Sequence, residues 1–187
     1  FEPGVKMLEQ LCGIPVLGVL PYYKDIHIEE EDSVSLASKS LKAEQGMINI
    51  AVVLLRHISN FTDFNVLERE PRVHLFYSNN PDELSKADII ILPGSKSTID
   101  DMHELWRNGA AQAILKAHRN GSSVLGICGG YQMMGQRILD PHHVEGDVEM
   151  LPGLGLLPTI TEMGTEKVTR QTKFSLYGRS EIMSGYE

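Results

Sequence analysis

Four short, largely apolar segments recur between residues 47 and 127, and they restrict the fold of this chain more than any other feature of its sequence. The segments are residues 48–55, 72–77, 87–94 and 123–127. Between the last two lies a stretch at 97–119 whose apolar residues recur mostly every three or four positions, the spacing of an amphipathic helix. Apolar strands that alternate with helices predict an α/β fold, with a mostly parallel sheet covered by helices on both faces.

Glycines and the remaining segments refine this prediction. Gly109 is expected to divide the helical stretch into two pieces, and Gly121 to end it. The last strand is expected to run into a helix that begins near Gly130. The other predicted elements are a helix at 3–12, a buried strand at 13–21, and short strands at 153–158 and 167–176. The acidic segment 25–36 predicts a solvated linker rather than a metal site made of carboxylates.

Composition argues against several functional classes. The chain has 187 residues, with 17 Lys and Arg against 25 Asp and Glu, which gives a net charge of −8. A dedicated nucleic-acid-binding protein would need a basic face, so no nucleic-acid partner is expected. No apolar run approaches the ~20 residues of a membrane-spanning helix, so no membrane partner is expected. Cys12 and Cys128 form no CxxC pair, which argues against a disulfide framework or a zinc site and favours a cytoplasmic protein with free thiols.

The ends of the chain and the position at which the apolar segments begin predict its division into parts. It begins at Phe1 without a Met and stops at Glu187 without a closing element, so we expect a piece of a longer protein. The apolar strands begin at Met47. We therefore predict two parts, residues 1–46 and residues 47–187.

The sharpest chemical feature is the Gly-Ile-Cys-Gly-Gly segment at residues 126–130. A buried strand leads directly into Cys128 and a helix follows, which predicts the tight strand-to-helix turn called a nucleophile elbow in serine hydrolases. Gly126 and Gly130 lack a Cβ and permit such a turn. The helix N-terminus favours a thiolate, and the N–H of Gly129 can face a developing oxyanion. Cys128 is therefore the predicted nucleophile, with an inert buried core cysteine as the alternative.

A second loop after a predicted strand supports this interpretation. Gly94 follows the third apolar segment and can supply a second N–H to an oxyanion. The alternative is a simple turn in which Ser95 or Ser97 caps the following helix, and both functions can coexist. A phosphate-binding loop is disfavoured, because the glycine that such a loop needs five residues before Gly94 is replaced by Ile89.

A cysteine nucleophile usually needs a histidine base, and the sequence does not identify one. None of the seven histidines has a spacing that marks it as the partner of Cys128. His142 and His143 follow Asp140-Pro141, which predicts an exposed turn; a metal site there is the alternative, and no metal site is predicted.

Several segments together resemble the class I (triad) glutamine amidotransferases, whose fold is flavodoxin-like. The closer resemblance is to the cobyric acid synthase branch of that family, which carries similar versions of residues 58–64, 92–98, 127–133 and 185–187. Residues 13–22 and 30–33 resemble the end of the ATP-dependent synthetase domain that precedes the amidotransferase domain in that branch. The resemblance spans nearly the whole chain, and it makes residues 1–46 a remnant of the synthetase domain plus a linker.

The resemblance implies the roles of individual residues. Cys128 would attack the side-chain amide of glutamine, with Gly94 and Gly129 forming the oxyanion hole. Substrate binding would involve Ser95, Tyr131 and Gln132. The base histidine and its carboxylate partner are expected beyond residue 187, so this chain alone should be an incomplete catalyst.

The resemblance also implies cofactors and partners. No cofactor is expected in this chain, whereas the synthetase domain would use ATP and Mg to amidate a corrinoid acceptor. Three alternatives remain open: an amidotransferase subunit that feeds a cell-wall lipid II amidating ligase, a non-catalytic amidotransferase-like module, and a cysteine hydrolase or thiol oxidoreductase on the same sheet. Gln132, four residues after Cys128, favours glutamine chemistry over the last of these.

Overall fold

A computed structural model describes residues 2–19, 39–166 and 169–186. The chain divides into two compact units, residues 1–31 and 32–187. In the first unit the structure describes helix α1 (Glu2–Cys12), which buries none of its side chains, and an irregular segment at residues 13–19. The second unit holds the sheet and all the residues discussed below as a functional site.

A four-stranded parallel sheet organises the second unit. Its strands are β1 (Ile48–Val53), β3 (Val73–Ser78), β4 (Ile89–Leu92) and β6 (Ser123–Gly126), in the spatial order β3-β1-β4-β6. All three neighbouring pairs are parallel. The predicted α/β class and the four predicted strands are confirmed, except that β6, predicted to be buried, has no buried residue and exposes 51% of Leu125. Loops that follow β1, β4 and β6 share one edge of the sheet, where parallel sheets place their ligand sites.

Helices cover one face of this sheet. They are α2 (Pro81–Leu84), α3 (Thr98–Arg107), α4 (Ala110–Arg119) and α5 (Gly129–Met133). Gly109 separates α3 from α4 with a φ of 84°, and Gly121 follows α4 with a φ of 108°. Both predictions about these glycines are confirmed, because a residue without a Cβ adopts a positive φ at little cost.

The alternation of side chains along the strands builds a core on each face. Ala51 and Val53 point to the helix-covered face, whereas Ile50 and Val52 point to the opposite one. Two 3-10 helices, Phe61–Phe64 and Leu67–Arg69, pack on that opposite face. The hydroxyl of buried Tyr77 donates to the carbonyl of Phe61 over 3.2 Å. Burial raises the pKa of this phenol well above its ordinary value, and the nearby charge of Glu68 raises it further.

Small sheets complete the second unit. Strands β2 (Ile58–Ser59) and β5 (Gly94–Ser95) form an antiparallel pair. Strand β7 (Arg137–Leu139) pairs with β8 (Met150–Pro152) and β9 (Ile160–Glu162), and β10 (Gln171–Phe174) pairs with β11 (Met183–Tyr186). Strand β10 lies inside the predicted strand at 167–176, of which residues 167 and 168 lie outside the described residues.

Two predicted strands are wrong. Residues 13–19, the described part of the strand predicted at 13–21, form no strand, and Leu17 is 98% exposed. The strand predicted at 153–158 is a loop, because its N–H groups from Gly153 to Leu157 donate to carbonyls of residues 133–136 around the end of α5. The segment at 153–158 thus makes its backbone hydrogen bonds to a loop and a helix end, not to a strand. The acidic linker predicted at 25–36 lies outside the described residues.

No helix among the described residues is both long enough and apolar enough to cross a membrane.

Candidate active site

Cys128 occupies the turn between β6 and α5, with backbone angles φ 52° and ψ −115°. This region is disfavoured for any residue that carries a Cβ, so the turn is strained. The residue is exposed to solvent, which rules out a buried core cysteine. The geometry is that of the predicted nucleophile elbow, with the thiol presented at the sheet edge where strands β4 and β6 end.

Close backbone packing explains the glycines around Cys128. The place that a Cβ on Gly130 would take overlaps the carbonyl oxygen of Leu92 and lies 2.7 Å from that of Pro93. A Cβ on Gly126 would lie 2.7 Å from the Cα of Tyr131. Because both Cβ atoms are missing, α5 can lie directly against the ends of β4 and β6, which sets the direction in which the elbow presents Cys128.

The loop after β4 lies beside the nucleophile, as the sequence predicts. A Cβ placed on buried Gly94 would be 3.8 Å from the Cβ of Cys128. A Cβ placed on Gly129 would be 3.1 Å from the backbone nitrogen of Ser95. The structure thus brings the backbones of Gly94, Ser95 and Gly129 together around Cys128, so the two predicted oxyanion-hole glycines are neighbours.

A buried carboxylate that the sequence analysis missed supports this loop. Asp101, on α3, is 1% exposed. Its Oδ2 accepts a 2.6 Å hydrogen bond from the hydroxyl of Ser95. Its Oδ1 lies 3.1 Å from His57 Nδ1 and accepts the His57 backbone N–H over 3.2 Å. No local pattern marks Asp101 in the sequence, because His57 is 44 residues away along the chain.

The three predicted substrate-binding residues surround the elbow in different ways. The Ser95 hydroxyl donates to Asp101 and accepts the N–H of Ser97. The backbone nitrogen of Ser95 is the part that lies close to Gly129. Tyr131 is 50% exposed on α5. The side-chain oxygen of Gln132 accepts a hydrogen bond of 3.4 Å from the hydroxyl of Thr98. Their roles in substrate binding stay predictions.

A residue from a distant loop caps helix α3. Ser95 and Ser97 are the alternative caps that the sequence predicts. The hydroxyl of Ser97 accepts no N–H of the helix and donates to Asp100, and the hydroxyl of Ser95 accepts the N–H of Ser97, which precedes the helix. The carboxylate of Glu145 accepts the first two N–H groups of the helix, from Thr98 at 2.7 Å and Ile99 at 3.2 Å. The alternative in which a serine caps this helix is therefore wrong, and the cap comes from 47 residues away.

Buried Asp140 fixes the loop that carries Glu145. Its two carboxylate oxygens accept the N–H groups of Val144 at 2.7 Å and Glu145 at 2.8 Å. Burial alone would raise the pKa of Asp140, but these backbone donors and the nearby His143 outweigh it, so the pKa lies below its ordinary value. Asp140 therefore holds the loop as a carboxylate.

The start of α3 does not fit a nucleotide phosphate. A phosphate would bind the free N–H groups of the helix N-terminus, yet Thr98 and Ile99 already donate theirs to the carboxylate of Glu145. A second anion there would meet that negative charge. Within residues 2–19, 39–166 and 169–186, no group of three or more His, Cys, Asp or Glu side chains is arranged to hold a metal ion.

Histidine contacts do not reveal a base for Cys128. Six of the seven histidines lie in the described ranges, and none of them hydrogen-bonds to the thiol. The ring of His57 faces Asp101, His74 lies 3.0 Å from a carboxylate oxygen of Glu44, and the ring of His143 lies 3.1 Å from the carbonyl of Gly146. His27 lies outside the described residues.

Comparisons with known proteins show the family and the fold. The model of the CobB/CobQ-like glutamine amidotransferase domain matches residues 49–187. Cobyric acid synthases of Bacteroides fragilis and Phocaeicola vulgatus are 68% and 66% identical over 187 residues, which is 100% of this chain and 38% of each relative. A crystal structure described as a glutamine amidotransferase shares the fold, with a TM-score of 0.51 and 19% identity over 73% of this chain and 69% of that one.

Proposed function

This chain belongs to the CobB/CobQ-like glutamine amidotransferase domain family, and from that premise we propose that it releases ammonia from glutamine with Cys128 as the nucleophile. The observation that carries the proposal is the strained, exposed position of Cys128 beside the backbones of Gly94 and Gly129. Strain of this kind persists where the surrounding structure enforces it, and it is concentrated at active sites.

The reaction begins when the thiolate of Cys128 attacks the side-chain carbonyl carbon of glutamine. The carbonyl oxygen becomes an oxyanion, which the N–H groups of Gly94 and Gly129 stabilise. Collapse of this intermediate breaks the carbon–nitrogen bond. The nitrogen leaves as ammonia after it takes a proton from the protonated base histidine, which acts as the general acid in this step. Water then hydrolyses the remaining thioester, which releases glutamate and restores the thiol.

Substrate recognition involves the exposed surface of the elbow. Tyr131 and Gln132 lie on the five-residue helix α5 directly after the nucleophile, and the backbone of Ser95 lies beside Gly129. The amide of Gln132 is held by Thr98, so its remaining hydrogen-bonding groups are available to a polar substrate.

The general base comes from outside the described residues. This part of the proposal is supported by the six described histidines, none of which hydrogen-bonds to Cys128. Because the family resemblance places the base histidine and its carboxylate partner beyond residue 187, we expect the 187-residue chain by itself to hydrolyse glutamine poorly, and a longer form that includes both to hydrolyse it well.

The whole protein is proposed to act as a cobyric acid synthase. The chain spans 38% of the length of the curated relatives that it matches, and those relatives carry that name. In this proposal residues 1–46 are the end of an ATP-dependent synthetase domain plus a linker. The synthetase domain uses ATP and Mg and adds the ammonia to carboxylates of a corrinoid in cobalamin biosynthesis. The free thiols of Cys12 and Cys128 are consistent with a cytoplasmic location. The lipid II alternative is disfavoured, because the relatives match the entire chain.

Glutamate release by the full-length protein tests this proposal. The assay compares the wild type with Cys128→Ala and with Cys12→Ala, a matched change at the other exposed cysteine, each with and without ATP and a corrinoid acid. We expect release that depends on Cys128, does not depend on Cys12, and rises with ATP and corrinoid. Release that persists in Cys128→Ala would refute the nucleophile, whereas Cys128-dependent release without a corrinoid response would move the acceptor elsewhere.

A further inference from the structure

Asp101 is a buried charge with an unusually complete set of partners. It is 1% exposed, and an unpaired carboxylate in such a place would be costly. Its oxygens lie within hydrogen-bonding distance of the Ser95 hydroxyl, the His57 backbone N–H and His57 Nδ1, at 2.6 to 3.3 Å. Asp101 is therefore held by two loops, one after β1 and one after β4.

Both of those loops flank Gly94. Ser59, two residues after His57, pairs with Gly94 across β2 and β5, and a Cβ on Gly94 would lie 2.5 Å from the Ser59 hydroxyl. The carbonyl of His57 accepts the N–H of Lys96 over 2.9 Å. The bonds of Asp101 thus tie the loop that carries Gly94 from two sides, through His57 and through Ser95.

The position of this loop determines where its N–H groups point. The backbone nitrogen of Ser95 lies 3.1 Å from the place that a Cβ on Gly129 would take, and the Ser95 hydroxyl donates to Asp101, so a displacement of Ser95 would also displace the backbone of the proposed oxyanion hole. N–H groups stabilise an oxyanion only when they are fixed before charge develops, because reorienting them during the reaction costs the energy that they would supply.

We propose that Asp101 is a positioning residue that holds the backbone of Gly94 and Ser95 against Cys128 without contacting glutamine. This inference rests on the proposed glutaminase activity. It assigns Asp101 an effect on the stabilisation of the oxyanion, rather than on the nucleophilicity of the thiol or on ground-state binding of the substrate. A carboxylate that only tied α3 to the sheet would affect stability and nothing else.

The test compares Asp101→Asn with Asp100→Asn in the full-length protein. Asp100 is adjacent and exposed, and its carboxylate accepts a bond from Ser97 rather than from Ser95. For Asp101→Asn we expect kcat of glutamate release to fall by about 10- to 100-fold, less than the ~100- to 1,000-fold loss that removal of an oxyanion-hole donor causes, because the donors are displaced and not removed; KM should change by less than about threefold. Asp100→Asn should keep the wild-type values.

Two thiol reagents separate oxyanion stabilisation from thiol reactivity. A chloroketone analogue of glutamine alkylates a thiol through a tetrahedral adduct with a negative oxygen, whereas iodoacetamide reacts by direct displacement at carbon. We expect Asp101→Asn to slow inactivation by the chloroketone about tenfold or more and to leave the iodoacetamide rate within about twofold. Equal slowing of both reagents, or a wild-type kcat, would overturn the proposal.

A second variant decides the outcome if Asp101→Asn does not fold. Ser95→Ala removes only the hydroxyl that donates to Asp101, and it should slow the chloroketone selectively, by a smaller factor. An unselective effect of Ser95→Ala would then refute the inference. Failure of the proposed function is distinguishable, because it would appear as glutamate release that survives in Cys128→Ala.

Discussion

The backbone of Gly130 lies directly against the carbonyl oxygen of Leu92, so closely that a Cβ on Gly130 would overlap that oxygen. The same carbonyl accepts the N–H of Ile127 over 2.9 Å. One atom at the end of β4 therefore fixes both the strand that leads into Cys128 and the helix that leaves it. Helix α5 can begin where it does only because residue 130 has no side chain.

Gly130→Ala should therefore destabilise the protein, by about 2–3 kcal/mol, because neither the Leu92 carbonyl nor the Pro93 carbonyl can move without disturbing β4. Gly146→Ala is the matched control, since a Cβ there would meet no atom within 4 Å. Urea unfolding of both variants checks the prediction. Equal stability of the two alanine variants would show that α5 can shift away from β4.

The backbone strain at Cys128 predicts an effect of residue type at this position. The free energy of unfolding of Cys128→Gly should be about 1 kcal/mol higher than that of Cys128→Ala, because glycine relieves the backbone strain at φ 52° and alanine keeps it. Thermal or chemical unfolding of the two variants gives the comparison. An alanine variant more stable than the glycine variant would mean that the turn is not strained.

The cap that Glu145 provides predicts a long-range effect on α3. Glu145→Ala should lower the free energy of unfolding by about 1 kcal/mol, because the N–H groups of Thr98 and Ile99 lose their acceptor. Glu149→Ala, in which the replaced side chain is 78% exposed, should change it by less than about 0.5 kcal/mol. Hydrogen exchange at Thr98 and Ile99 should quicken only in the first variant, and unchanged exchange would contradict the assignment of the cap.

The raised pKa of Tyr77 predicts a loss of stability at high pH. The folded state keeps the phenol neutral, whereas the unfolded state ionises it near its ordinary pKa of about 10. The unfolded state therefore binds fewer protons above that pH, and stability falls as the pH rises from 10 toward the raised value.

Tyr77→Phe isolates this effect. It should cost about 1 kcal/mol at pH 7, because the hydrogen bond to the Phe61 carbonyl is lost, and it should weaken the decline above pH 10. Tyr186→Phe, at a position 78% exposed, should keep the wild-type slope. Denaturant unfolding between pH 8 and about 12 measures all three proteins, and parallel slopes for Tyr77→Phe and the wild type would refute the prediction.

Apolar runs identified the sheet because strands of a parallel sheet are buried on both faces. Ile89–Leu92 shows this directly, since three of its four residues are buried. The same criterion failed at residues 13–19, which are largely apolar but form no strand. An apolar composition shows that burial of a segment is favourable. Whether the segment forms a strand also depends on a neighbouring strand to pair with, which its own residues do not encode.

By itself the sequence determined the apolar segments that form the strands, the helix break at Gly109 and the elbow at Cys128. Each of these depends on neighbouring residues, since glycine placement and apolar spacing act within a few positions of the chain. Only the tertiary structure decided the partners of buried polar groups. Asp101 meets His57 across 44 residues, and Glu145 meets Thr98 across 47. A buried charge or a free helix end requires some partner, and which one it finds depends on proximity in the folded chain, not along the sequence.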